Sequence, residues 1–259
     1  MTIEADPEWW KTMFDELYLL TDARSVCDEE ITRREVDLIC RLLPIRSDQR
    51  VLDLCSGHGR HSLEFCARGF SRCILVDYSE YLLRCGRSRA LERNHSMGFI
   101  QADARSTGLA SASFDHVLIL GNSFGYLRDA AGDGEILKEA HRVLRPAGWL
   151  LLDLADGTAV REKLSPEAWH EIGREIIVCR RREVEGDTVF VREMVLSKEK
   201  GLLRDRTYAI RFYDPAQIAA LLNRTGFESV RVLTDFSPHR TPGDYGFMNR
   251  RMIALGRKV

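Results

Sequence analysis

Between Arg50 and Asp153, five short apolar runs alternate with helix-like stretches, and this rhythm restricts the chain's fold more than anything else in it. The runs are Val51-Leu-Asp-Leu-Cys55, Cys73-Ile-Leu-Val-Asp77, Phe99-Ile-Gln-Ala-Asp103, Phe114-Asp-His-Val-Leu-Ile-Leu120 and Trp149-Leu-Leu-Leu-Asp153. Strands this apolar need cover on both faces, which predicts a mainly parallel sheet between two helical layers. Helices are expected after Gly59 to about Arg68, from Glu80 to Arg93 with Ser79 as its cap, and from about Gly132 to Leu144. Pro146-Ala-Gly148 reads as the turn into the fifth strand.

The flanks differ. Pro7-Glu-Trp-Trp10 begins a helix whose Trp10, Phe14, Leu17 and Tyr18 share one face, and a second runs from about Cys27 to Leu43, ending before Pro44. Residues 170–213 break the rhythm: Ile176 to Arg180, Val184 to Met194 around a Glu185-Gly-Asp187 turn, and Arg206 to Phe212 read as antiparallel strands. A helix from Pro215 to Arg224 and strands at Ser229–Leu233 and Arg251–Leu255 follow. The expected organisation is a doubly wound α/β core over residues 45–169 and 214–259. An N-terminal helical lid (1–44) and a small antiparallel β insertion (170–213), serving the substrate pocket or a dimer contact, complete it.

Composition narrows the function classes. The 259 residues carry 38 basic and 39 acidic side chains, a net charge of −1, so bulk attraction to nucleic acid or acidic membranes is not expected. The seven cysteines are scattered and none forms a Cys-x-x-Cys pair, which fits reduced thiols in a cytoplasmic protein. No basic n-region or apolar h-region opens the chain, and no apolar run reaches the ~18 residues of a membrane span.

The chemistry gathers at the strand ends. Gly57-His-Gly59 links the first strand to a helix, where glycine removes the Cβ that would block a ligand. Asp53 stands just before it, and a carboxylate there would repel pyrophosphate but suit a ligand with cationic groups. Asp77 ends the second strand, where an acid can accept both hydroxyls of a ribose. Gln101-Ala-Asp103 ends the third, within reach of an adenine amine. Cys55, His58 and His61 have metal-like spacing, yet they straddle the glycine loop and should diverge, so no metal site is expected.

Together these segments resemble the class I S-adenosylmethionine-dependent methyltransferases. Val51-Leu-Asp-Leu-Cys-Ser-Gly-His-Gly59 is similar to their first motif, Val76-Asp77-Tyr-Ser79 to the ribose-binding position, and Gln101-Ala-Asp-Ala104 to the adenine segment. Phe114 to Tyr126 resembles the fourth strand and its loop, and Leu144-Arg-Pro-Ala-Gly-Trp-Leu150 the turn before the fifth. Cys55-Ser56 departs from the usual Gly-Cys. The resemblance implies a Rossmann-like, seven-stranded sheet and S-adenosyl-L-methionine as cofactor. It places Asp53, Gly57 and Gly59 around the methionine part and Asp77 on the ribose. Tyr78 packs on the adenine with Asp103 and Ala104 at its edge, and the Leu120 and Gly121 backbone meets the methionine end.

A small-molecule acceptor is expected, because the loop reads Asn122-Ser-Phe124-Gly-Tyr126 rather than the Pro-Pro-Tyr form associated with nucleic-acid or protein amines. Tyr18 is the favoured lid residue, with Phe14 beside it, and Tyr126 or His239 could serve as a base where the acceptor needs one. Phe14, Asn122, Phe124, Tyr208, Arg211 and Arg240 are substrate candidates, the arginines suited to a carboxylate or phosphate. Exposed insertion strands offer a pairing edge for a homodimer. Three rivals stand beside this reading: an NAD-dependent oxidoreductase, disfavoured by Ser62 in place of the third glycine; a lyase or cyclase consuming the same donor; and a non-catalytic binding module.

Overall fold

A computed structural model describes residues 2–239 and 249–259. After a single 3-10 turn at Trp9–Lys11, the chain forms α1 (Glu16–Thr21), α2 (Ala23–Val26) and α3 (Glu29–Leu42). The core follows as β1 (Val51–Leu54), α4 (Arg60–Ala67), β2 (Cys73–Asp77), α5 (Glu80–Glu92), β3 (Gly98–Gln101), β4 (Phe114–Ile119), α6 (Ala130–Val143) and β5 (Leu144–Ala155). Then come α7 (Gly157–Lys163), β6 (Glu167–Ile172), β7 (Ile176–Glu185), β8 (Thr188–Ser197), β9 (Gly201–Arg211), α8 (Pro215–Arg224), β10 (Glu228–Phe236) and β11 (Arg251–Arg257).

Seven strands build the main sheet in the order β10-β11-β5-β4-β1-β2-β3, as the α/β reading anticipates. The five runs of the alternating region pair in parallel, and β11 slots antiparallel between β5 and β10. The chain leaves β1 toward β3 and returns to β4 on its other side. That reversal opens a crevice at the C-terminal strand ends, where ligands of open α/β sheets bind.

Strand alternation assigns the two faces. Leu52, Leu54, Val117, Ile119, Leu150 and Leu152 pack with Ile136, Leu137 and Ala140 of α6 and Ile218 and Leu222 of α8. Val51, Leu118, Leu151, Ile253 and Leu255 pack with Val36 and Ile39 of α3 and Phe65 of α4. Asp28 caps α3 by accepting from the Ile31 N–H, Ser79 caps α5 through the Leu82 N–H, and Asp214 and Gln217 form a reciprocal capping box on α8.

Two elements differ from expectation. The aromatic N-terminal stretch is not one helix. Asp15 is extended and its side chain accepts from the Tyr18 N–H, so a new helix starts there and the Trp9 turn stays separate. The insertion sheet has four strands, β6-β7-β8-β9, and begins at Glu167 rather than about residue 170. In β6, Glu167-Ala-Trp-His-Glu-Ile172 alternates exposed and half-buried positions, with Trp169 72% exposed, so it carries no apolar run to reveal it.

Candidate active site

Above the strand ends lies a cleft of about 730 Å³, counting the solvent at its mouth. Cys55 and Gly57 after β1, Asp77 and Tyr78 after β2, and Ala102, Asp103 and Ala104 after β3 form its floor. Ser123 to Leu127, in the loop after β4, form one wall, and Trp10, Phe14 and Tyr18 form the roof.

The glycine loop folds as its residue types require. Gly57 and Gly59 both have positive φ (57° and 73°), and a Cβ on Gly59 would collide with Leu75 of β2. The Gly57 N–H donates to Asp77 Oδ2 at 2.7 Å and the Ser79 N–H to Oδ1 at 2.8 Å, fixing that carboxylate at the cleft. Burial nonetheless raises its pKa. Asp103 is gripped by Arg105 through Nε and Nη2 at 2.6–3.1 Å, and this pairing lowers its pKa. Tyr78 is 38% exposed and meets Trp10 edge-on at 4.8 Å.

The roof is aromatic. Phe14 stacks on Tyr126 with centroids 5.7 Å apart and meets Tyr18 edge-on at 4.9 Å, while Trp9 touches both Tyr126 (5.0 Å) and Tyr208 (5.3 Å). Ser79 Oγ donates to the Phe14 carbonyl at 2.7 Å, fastening the roof to the start of α5. Gly125 lies so close to β9 that a Cβ would strike the Arg211 carbonyl, and its own carbonyl accepts from the Arg211 N–H at 2.7 Å.

Behind the cleft, on the α3 and α4 face, sits a buried ionic cluster. Glu35 pairs with Arg60, with His61 Nε2 at 2.9 Å and with Arg251 at 2.6 Å, and Arg251 reaches Asp153 at 2.7 Å. Burial opposes the charge on Glu35, but Arg60 and Arg251 hold it well below the carboxylate range. Burial drives His61 down to about 4, leaving a neutral ring. Asp153 Oδ2 also accepts the Gly121 N–H at 3.0 Å, setting the backbone at the end of β4.

The cleft brings together Phe14, Tyr18, Gly57, Asp77, Tyr78, Asp103, Ala104, Phe124 and Tyr126. Other expected residues go elsewhere. Asp53 faces α4, one strand period from Val51, and accepts from Ser62 Oγ at 2.7 Å; burial raises it to about 7. It stands behind the loop rather than in its mouth. Leu120 is buried with the α3 and α4 core, and neither Gly59 nor Gly121 is among the residues that line the cleft. Asn122 is buried and spends its Oδ1 on the Ala155 N–H (2.8 Å), which is a structural bond. Tyr208 stands behind Trp9, outside the cleft. Arg211 is consumed by Asp133 (2.7 Å) and the Leu127 and Arg128 carbonyls, so it clamps the loop instead of offering a free fork to a substrate anion.

The basic roles are corrected too. His239 neighbours Glu35 and Arg251 rather than the cleft, and burial lowers it to about 4. Burial pushes the Tyr126 phenol well above its ordinary value, so it stays neutral and is a donor, not a base. Arg240 lies outside the described residues. Among those residues no three His, Cys, Asp or Glu side chains converge as metal ligands. Sequence reasoning passed over Glu35, Arg60 and Arg251; Arg60 adjoins the glycine pair, but nothing in its spacing announces a partner on α3.

Residues 51–148 match a family model described as a methyltransferase domain. The ubiquinone/menaquinone biosynthesis C-methyltransferase UbiE of Acidiphilium cryptum (strain JF-5) is 28% identical over 221 residues, covering 82% of this chain and 78% of its own. An S-adenosylmethionine-dependent methyltransferase from Clostridium acetobutylicum ATCC 824 superposes with a TM-score of 0.72 at 16% identity, over 89% of this chain and 92% of that one. The sugar N-methyltransferase KedS8 from Streptoalloteichus sp ATCC 53650 gives 0.68 at 18% identity, over 100% and 96%.

Proposed function

Because the chain is a class I S-adenosylmethionine-dependent methyltransferase, we propose that it moves the donor's methyl group to a small-molecule acceptor beside the Phe14–Tyr126 stack. One observation carries the reading: Asp77, with both oxygens steadied by backbone N–H groups, shares a cleft with Tyr78, Asp103 and an aromatic roof. The UbiE relative and the KedS8 neighbour, whose names specify a C- and a sugar N-methyltransferase, support an acceptor of this size.

Bound S-adenosylmethionine supplies a methyl on a sulfonium, an already activated leaving group. Asp77 would hold the ribose, Tyr78 the adenine face, and Asp103 and Ala104 its edge. The backbone of Gly57, Gly59, Leu120 and Gly121 would border the methionine end, with the Asp53 carboxyl, raised by burial, behind the loop. Phe14, Tyr18 and Tyr126 exclude water, which favours a displacement whose charge is neutralised as it proceeds. No histidine lines the cleft among the described residues, and Asp77 and Asp103 are already hydrogen-bonded. Alignment and desolvation therefore carry the rate in this reading. Residues 1–44 act as the lid and the four-stranded sheet backs the acceptor side. The edge strand β6 supports a homodimer contact, and seven unpaired cysteines support a cytoplasmic setting. Among the described residues no helix is long and apolar enough to cross a membrane.

Calorimetric titration tests this. S-adenosylhomocysteine should bind, and Asp77→Ala should weaken it about thirtyfold, the scale of lost hydrogen bonds to a charged acceptor. Tight binding of NAD instead would refute the reading. Release of methylthioadenosine in place of S-adenosylhomocysteine would point to donor cleavage.

A further inference from the structure

Arg60 is the first residue of α4, directly after Gly59, and its side chain is only 9% exposed. One arm of its guanidinium is committed: Nη1 donates to Thr32 Oγ1 at 2.9 Å and to Glu35. The other is not. Nη2 is buried without a hydrogen-bond partner. It faces the bare backbone that closes β4, since a Cβ built on Gly121 would lie 3.8 Å from it. A buried guanidinium N–H left unmet is costly, and the group that answers it best is a planar anion.

The ionic cluster does not call for this arm. Glu35 is also held by His61 at 2.9 Å and Arg251 at 2.6 Å. No Lys or Arg is among the cleft's described lining residues, while Asp77 and Asp103 line it. Arg105 is closed on Asp103 and lies against Trp10 (5.9 Å), at the adenosine end. Arg60 is near enough to Tyr18 in the roof to act on the ionisation of its phenol.

Resting on the methyltransferase reading, we infer that Arg60 Nη2 receives the α-carboxylate of the donor's amino-acid end. Tethering Nη1 to α3 holds the fork in place before the ligand arrives, so little ordering remains to be done on binding. Arg60 is thereby a donor-specificity residue: it selects adenosyl thioethers that end in an amino acid over those that have lost the carboxylate.

The test uses titration calorimetry on the full chain with two probes, S-adenosylhomocysteine and its decarboxylated analogue 5′-deoxy-5′-(3-aminopropylthio)adenosine. The wild type should prefer the former by about thirtyfold, the scale of a charge-assisted hydrogen bond. In Arg60→Gln the preference should shrink to about threefold or less, with the analogue's own affinity unchanged. A preference that survives the substitution, or an equal loss for both probes, would overturn the assignment. Arg60→Lys keeps the charge without the fork and serves where the glutamine variant melts before titration: a narrowed preference upholds the inference and an undiminished one overturns it. Should the wild type bind neither probe, the cofactor reading fails rather than the role of Arg60.

Discussion

Asp53 and Asp77 both come from the strands beside the glycine loop, yet their surroundings set them to different tasks. Asp77 takes two backbone N–H groups at the cleft. Asp53, behind the loop, has one hydroxyl donor and a carboxyl raised to about 7. An aspartate in the unfolded chain titrates near ~3.9. Between about pH 4 and 7 the folded state therefore keeps a proton that the unfolded state has released, and stability from this group falls as pH rises through that window. Asp53→Asn removes the effect. Its melting temperature relative to wild type should climb from pH 5 to pH 8, and a constant difference would refute the buried, protonated acid. The placement was half legible: Asp77 and Asp103 follow from strand-end position. Asp53 was misplaced by ignoring alternation, which puts it with Val51 on the α4 side. Arg211 and His239 resisted reading because Asp133, which holds the one, and Glu35, which neighbours the other, lie far away in sequence.

Among the elements, the parallel strands were readable because cover on both faces writes itself as short, mainly apolar runs, interrupted by Asp53 in β1 and by Asp115 and His116 in β4. The insertion was read less completely, since β6 spends its alternation on a half-exposed edge. The roof depends on a seam that leaves no mark in hydrophobicity, the approach of Gly125 to β9. At φ +83° and against the Arg211 carbonyl, this position accepts no side chain without displacement. Gly125→Ala should shift the segment carrying Phe124 and Tyr126, costing about 1–3 kcal/mol of stability. It should also lower kcat/KM by roughly tenfold or more, as a small misplacement of positioning groups does. Denaturant titration and steady-state kinetics check this; unaltered kinetics would detach the seam from the roof.

At the scale of the whole molecule, Arg251 ties together what the chain separates most. It brings β11, near the end of the sequence, to Asp153 of β5 and to Glu35 of α3, and it is fully buried. Removing one member of such a cluster leaves uncompensated charge in the interior, so Arg251→Met should cost about 3–5 kcal/mol in urea unfolding. A loss under about 1 kcal/mol would mean that Glu35 and Asp153 are adequately served by other groups. The N-terminal stretch is bound to the rest in another fashion. The Ile3 N–H meets Glu183, Thr12 meets Arg206, Asp15 meets Arg204, and Asp22 meets Arg180 at 2.9 Å, all on the insertion side; Phe14 is pinned to Ser79 on the other. The first twenty-odd residues thus work as a hasp across a door. Undoing that hasp gives up ties to the insertion and to the start of α5 at once, so the stretch from Ile3 to Asp22 is held to the rest of the protein from two sides.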